Sequence, residues 1–167
     1  LDAHFHINLS DDEINQLAYE SEMLAHGNAS GIDNTLATYG KFSLFKRGTP
    51  PELKEVKVIE PIPIVIGLSG VESLTAKMVS NVKLAWEKNK TLYDRIFDEI
   101  DGLTLQAVKA IESNDLQQLG ELMNINQGLL NALQVSSREL EDLIEISRRN
   151  GAVGAKLTGS GGGGAMV

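Results

Sequence analysis

The chain of 167 residues contains no cysteine, which removes disulfide scaffolds, thiolate metal sites and cysteine nucleophiles from consideration. Aromatic residues make up only 5%, so any core must be built mostly from aliphatic side chains. Cations are in deficit: 15 Lys+Arg against 23 Asp+Glu give a formal net charge of -8. That balance argues against nucleic acid or an anionic membrane as a partner. No apolar run approaches the roughly 18 residues a membrane-spanning helix needs, and no secretory leader is visible. What is present, 42% hydrophobic and 23% charged residues, is close to the globular average and enough for a real core. A cytoplasmic protein is the expectation. The opening at Leu1 and the apolar close Ala165-Met166-Val167, directly after a glycine run, read as the two ends of a fragment.

Hydrophobic spacing then organises the chain. A helix is expected from Ser10 to Ala25: Ser10 and Glu13 form a capping-box pattern, and Ile14, Leu17, Ala18, Ser21 and Leu24 or Ala25 recur on one face as a buried stripe. A short helix from Gly31 to Thr38 and a strand from Lys41 to Lys46 follow. Thr49-Pro50-Pro51-Glu52 marks the best domain boundary. The β-branched run Ile62 to Leu68 predicts a buried strand. Four helices are expected at 72–88, 91–112, 115–132 and 137–149, then a strand from Val153 to Thr158. Strands and helices mixed without regular βαβ alternation predict an α+β fold.

Five of the 16 glycines lie between positions 159 and 164. Successive glycines let backbone approach a ligand or another backbone closely, and they can aim N–H groups at an anion. The letters fit G-x-G-x-x-G, but that dinucleotide fingerprint must open a helix, and only three apolar residues follow here. The Lys-Ser/Thr ending of a P-loop is also absent. A structural or phosphate-proximal loop is the better reading.

A second constellation runs from Glu22 to Asn34 and includes His26-Gly27-Asn28-Ala29-Ser30-Gly31-Ile32-Asp33. Glu22 and Asp33 are eleven positions apart, and a chain reversal at Gly27–Gly31 would bring them to one site. One carboxylate could then hold a hard divalent cation and the other manage a hydroxyl proton. A lone acid on a surface helix is far more often solvated than catalytic, and spacing alone leaves both readings open.

The acidic segment resembles the one that carries the active-site carboxylates of mevalonate kinases. Lys156-Leu157-Thr158-Gly159-Ser160-Gly161-Gly162-Gly163-Gly164 is similar to the third motif of the GHMP kinase superfamily. The string Gly120-Glu121-Leu122-Met123-Asn124-Ile125-Asn126-Gln127-Gly128-Leu129-Leu130 is also mevalonate kinase-like. The resemblance covers essentially the whole chain. It implies the C-terminal lobe of a GHMP kinase, a ferredoxin-like split βαβ layer with extra helices, over residues 47–167, and the tail of the N-terminal lobe over residues 1–46. It further implies transfer of the γ-phosphoryl group of ATP to the primary hydroxyl of mevalonate, giving 5-phosphomevalonate for isoprenoid synthesis. By the same resemblance Asp33 is the catalytic acid and Glu22 the Mg²⁺ ligand. His26, Ser30, Gly31 and Thr75 shape the mevalonate pocket, while Gly159, Ser160, Gly161, Gly162 and Gly163 form the ATP-phosphate loop. ATP and Mg²⁺ are the implied substrate and cofactor, and a homodimer is compatible with this reading.

The departures from the family pattern are specific. Ala165 stands where the family usually has cysteine, and the family's Gly-Leu-Gly-Ser-Ser-like phosphate loop and its N-terminal lysine segment do not occur within these residues. Two alternatives stay open: a GHMP kinase for another small alcohol or sugar, and a non-catalytic binding protein that keeps the fold.

Overall fold

The computed structural model describes residues 4, 6–26, 30–48, 51–72 and 74–167, except the side chains of Ala25 and His26. They form two compact units, residues 1–57 and 58–167. Among the described residues, no helix is long and apolar enough to cross a membrane.

The first unit holds helix α1 (Asp11–His26), helix α2 (Ile32–Tyr39) and the antiparallel pair β1 (Ser43–Lys46) and β2 (Glu52–Glu55). The capping box forms reciprocally: the Glu13 N–H donates to Ser10 Oγ at 3.3 Å and the Ser10 N–H donates to Glu13 Oε2 at 2.8 Å. Three carboxylates complement the dipole in the same turn, with Asp11, Asp12 and Glu13 at the positive end of the helix. The stripe expected to be buried on α1 is only partly so. Ile14 and Ala18 are half-buried, Leu17 is exposed and Leu24 is 90% exposed. What joins α2 to α1 is polar instead. Asn34 Nδ2 donates to Asn15 Oδ1 at 2.6 Å, and the Tyr39 hydroxyl donates to Asp12 Oδ1 at 2.5 Å. The β1–β2 register pairs Ser43 with Glu55 and Lys46 with Glu52, so the division expected at 46/47 falls between two paired strands. Residues 49 and 50 of the expected boundary lie outside the described residues.

The second unit begins with an apolar stretch and the short strand β3 (Gly67–Leu68), followed by helices α3 (Thr75–Lys88), α4 (Lys90–Glu112), α5 (Leu116–Ala132) and α6 (Arg138–Arg149). Strands β4 (Leu157–Thr158) and β5 (Ala165–Met166) close it. The sheet order is β3-β5-β4, antiparallel throughout. Side-chain caps punctuate the helices where the sequence offers them: Asp115 Oδ1 accepts from the Gln118 N–H at 2.9 Å, and Ser137 Oγ accepts from the Leu140 N–H at 3.4 Å.

The buried strand expected over Ile62–Leu68 does not form as such. Only Gly67 and Leu68 pair, and Ile64, Val65, Ile66 and Leu68 are exposed. Pro61 and Pro63 carry no N–H to donate to a ladder, so pairing starts after them. The strand expected from Val153 shrinks in the same way to Leu157–Thr158.

The main core gathers Leu133, Val135, Leu140, Ile144, Ala155, Leu157 and Met166, with Met78, Val82, Ile96 and Ile100 packed on it. A smaller cluster of Leu103, Ala110 and Leu122 joins α4 to α5. Helix α5 reaches the chain before β4 by backbone contact. A Cβ on Gly154 would sit 2.4 Å from Gly120 Cα, and a Cβ on Gly120 would sit 2.5 Å from the Val153 carbonyl oxygen. Gly154→Ala should therefore destabilise the chain by about 1–3 kcal/mol, the usual cost of forcing atoms into a packed interior. Gly102→Ala, on α4 with nothing near its Cβ position, should stabilise by roughly 0.5–1 kcal/mol. Thermal melts of the two variants check both signs.

Candidate active site

The glycine loop between β4 and β5 is a seat for backbone. Gly159, Gly161, Gly162, Gly163 and Gly164 all have positive φ, from 73° to 143°. A side chain there would be strained, and at two positions it would also collide. A Cβ on Gly161 would lie 2.0 Å from the Val135 carbonyl oxygen, and one on Gly163 would lie 2.5 Å from that of Val71. The same two carbonyls receive the N–H groups of Gly162 (2.7 Å) and Gly164 (2.8 Å). The loop is thus clamped between the α5–α6 connection and the segment before α3. Its glycines are required by close approach first, and by any ligand second.

Thr75, the first residue of α3, reaches this loop: its hydroxyl lies 3.2 Å from the Ser160 hydroxyl. Leu74 in the N-cap position supplies no side-chain cap, so the Thr75 hydroxyl is turned to the loop. The structure brings together Thr75 and Ser160, two residues that the sequence connects only by resemblance.

The acidic pair lies in the first unit. Tyr19 approaches Gly31 (3.5 Å from its Cβ position), Asn15 meets Asn34, and Asp12 meets Tyr39. This antiparallel register sets the C-terminal end of α1, with half-buried Glu22, at the same end of the helix pair as the first turn of α2, with exposed Asp33. Gly31, at φ 83°, is the N-cap of α2, and Ser30 Oγ accepts from the Ile32 N–H at 3.3 Å. His26 closes α1, but its side chain lies outside the described residues, as do Gly27–Ala29. Among the described residues no three acidic or histidine side chains cluster tightly enough to hold a metal alone. The oxygen donors of Glu22 and Asp33 suit a hard cation that takes most of its ligands from phosphate and water.

The sequence assigns no role to the residues that fasten the chain leading into the loop. Asn124 Nδ2 donates to the Val153 carbonyl (3.2 Å) while its Oδ1 accepts from the Ala155 N–H (3.1 Å). Arg148 donates to the Ala155 carbonyl at 2.8 Å, and Gln127 Oε1 accepts from the Leu157 N–H at 2.9 Å. Asn124 and Gln127 stand among the apolar residues Leu119, Leu122 and Leu130 of the same helix, and polar residues among core positions were the available signal. Lys156, just before β4, is also partly buried, with its Nζ 2.7 Å from the Leu157 carbonyl oxygen.

Residues 107–167 match the family model described as "GHMP kinases C terminal". The chain is 39% identical over 165 residues to a mevalonate kinase of Pyrococcus abyssi, covering 96% of this chain and 48% of that protein. It matches the crystal structure of L. major mevalonate kinase in complex with R-mevalonate with TM-score 0.89 and 37% identity, over 96% of this chain and 50% of that one. The Methanococcus jannaschii mevalonate kinase structure matches with TM-score 0.83 and 32% identity, over 99% of this chain and 50% of that one. The fold is therefore the α+β arrangement of the GHMP kinases, and the chain belongs to that family. Within the family it is similar to mevalonate kinases, and it spans about half the length of the curated relatives it matches.

Burial pushes the Lys156 ammonium below the ordinary lysine value of 10.5, because a charged amine loses hydration there. Below the depressed folded-state pKa the amine is charged in both states, and its desolvation costs stability. As pH rises through that pKa toward 10.5, the unfolded chain binds more protons and stability increases. Lys156→Met should be more stable than the parent at neutral pH, and the gap should narrow as pH approaches 10.5. Paired melts across that range check it.

Proposed function

We propose that this chain supplies the acceptor-side carboxylates and the third glycine motif of a mevalonate kinase. The reaction moves the γ-phosphoryl group of ATP to the primary hydroxyl oxygen of mevalonate. The hydroxyl proton leaves, the bond from the γ-phosphorus to the bridging oxygen breaks, and ADP and 5-phosphomevalonate result. The observation that carries the reading is the likeness to mevalonate kinases over 96% of this chain, one of them crystallised with R-mevalonate. That stretch includes both the Glu22–Asp33 helix pair and the glycine loop held against Thr75.

Phosphoryl transfer asks a protein mainly for positioning and charge stabilisation. In this reading Asp33, exposed on the first turn of α2, orients the acceptor hydroxyl and takes its proton. By the same likeness His26, Ser30 and Gly31 of the first unit, and Thr75 of the second, are each assigned to mevalonate binding. The loop of Gly159, Ser160, Gly161, Gly162 and Gly163 shapes the phosphate side. Mg²⁺ bound with ATP supplies charge neutralisation, and Glu22 would be its protein ligand. We assign the first unit to the end of an N-terminal lobe and the second to a C-terminal lobe. Cytoplasmic placement and a homodimer belong to the same proposal, following the mevalonate kinase likeness.

The test is a chimera in which residues 1–167 replace the matching half of the Pyrococcus abyssi enzyme, assayed for ADP release with mevalonate, galactose and homoserine. Turnover on mevalonate supports the proposal. Turnover on another acceptor alone selects a different GHMP kinase, and no turnover with a folded chimera favours a binding protein. Residues 1–167 alone contain no Gly-Ser-Ser phosphate loop; they should give no turnover, and calorimetric titration with Mg·ATP should show no tight saturable binding.

Two substitutions in the chimera divide the roles. Asp33→Asn should cut turnover by about 10²–10⁴-fold, the range for a lost acid–base group, with little change in melting temperature. Wild-type turnover in that variant would remove Asp33 from the chemistry. Glu22→Gln should raise the Mg²⁺ concentration needed for half-maximal rate while leaving mevalonate KM nearly intact. An unchanged Mg²⁺ dependence would make Glu22 an ordinary helix carboxylate.

A further inference from the structure

The mevalonate kinase-like string on α5 has no role in the reaction described above, yet it contains the most fully engaged buried polar side chain of the second unit. Gln127 is 2% exposed. Its Nε2 donates to Ser136 Oγ at 3.1 Å and to Glu141 Oε1 at 2.7 Å, and its Oε1 accepts from the Leu157 N–H at 2.9 Å. One amide therefore ties α5 to three other places: the α5–α6 connection, the first turns of α6, and β4.

Two of those places are the entry of the glycine loop and one side of its seat. Leu157 lies two residues before Gly159, where the loop begins. Ser136 follows Val135, whose carbonyl receives the Gly162 N–H and fills the space a Cβ on Gly161 would need. The distance between loop entry and loop seat is thus spanned by a single side chain. A carboxamide is the group that offers two donors and an acceptor in one plane. If packing were the only demand, an apolar residue of the same length would fill the position without burying polar atoms.

Resting on the reading that this loop serves the nucleotide phosphates, we propose that Gln127 is a positioning residue for ATP, acting through the glycine loop and held in its own orientation by Glu141. It touches no substrate. It sets where the loop stands.

The test uses the chimera for kinetics and residues 1–167 for amide hydrogen exchange. Gln127→Met keeps the length and removes all three hydrogen bonds. It should lower kcat/KM for ATP by about 10–100-fold, the scale of an ångström-sized misplacement, with mevalonate KM unchanged and faster exchange at the Gly162 amide. The double variant Gln127→Glu/Glu141→Gln keeps an acceptor for the Leu157 N–H and exchanges the donor and acceptor between the two helices. It should recover most of both losses, as coupled partners do. A Gln127→Met variant with a lower melting temperature but wild-type ATP kinetics and Gly162 exchange would overturn the proposal. Should that variant not fold, Glu141→Gln, which keeps an acceptor oxygen, and Glu141→Met, which does not, give the same comparison. Only the second should raise ATP KM and Gly162 exchange, and equal values in the two would overturn the proposal. A parent chimera without ATP-dependent turnover would instead overturn the functional reading, and the Gly162 exchange rates would still decide whether Gln127 places the loop.

Discussion

Everything near the glycine loop depends on how the outer edge of β4 is closed. A strand at the edge of a sheet presents N–H and C=O groups that must find partners. Here β5 takes one side: Lys156 and Val167 exchange backbone hydrogen bonds at 2.8 Å in both directions. On the other side, among the described residues, no strand stands. Helix α5 comes so close at Gly120 and Gly154 that neither can carry a side chain. That approach lets Asn124 and Gln127, with Arg148 from α6, meet the backbone of residues 153–157 directly. Helical side chains do the work of a neighbouring strand.

This arrangement explains why the loop can be so rich in glycine and still be held. Five residues with positive φ would be a flexible linker in isolation, since glycine loses more backbone freedom on ordering than any other residue. The loop is instead fastened at both ends and in the middle, by Gly162 to Val135 and by Gly164 to Val71. The Val135 carbonyl sits on a segment anchored in the main core through Val135 and Leu140, and Leu157 and Met166 anchor the strands on either side of the loop. The first unit uses a different device. Its helices meet through Asn15, Asn34, Thr35 and Tyr39 more than through aliphatic burial, which sets a register as firmly as packing does, because a buried amide misaligned by one turn loses its partner.

The positions of the helices were legible from the residues alone. The capping box at Ser10, the helices expected at 115–132 and 137–149, and the 3.6-residue spacing of Ile96, Ile100 and Leu103 all correspond to what the structure shows. The apolar run Ile62–Leu68 misled for an equally physical reason. Hydrophobicity says that a segment gains by burial, but pairing and cover come from other parts of the chain, and here Ile64, Val65 and Ile66 stay exposed. Lys156 was hidden for the converse reason: a lysine beside a strand gives no sign, in sequence, that its amine will be buried. Thr75 drew notice only through resemblance, because 85 positions separate it from Ser160.

By itself the sequence determined the helices, the α+β class, the acidic segment and the glycine motif, because capping, periodicity and backbone freedom act over a few neighbouring residues. The tertiary structure alone decided which polar side chains on α5 would hold the chain leading into the loop, and that Thr75 would face Ser160. It also decided that Glu22 and Asp33 would stand at one end of a helix pair. Those outcomes depend on long-range approach, which local propensity does not encode. A glycine at position 120 and another at 154 become one contact only when the chain between them has folded.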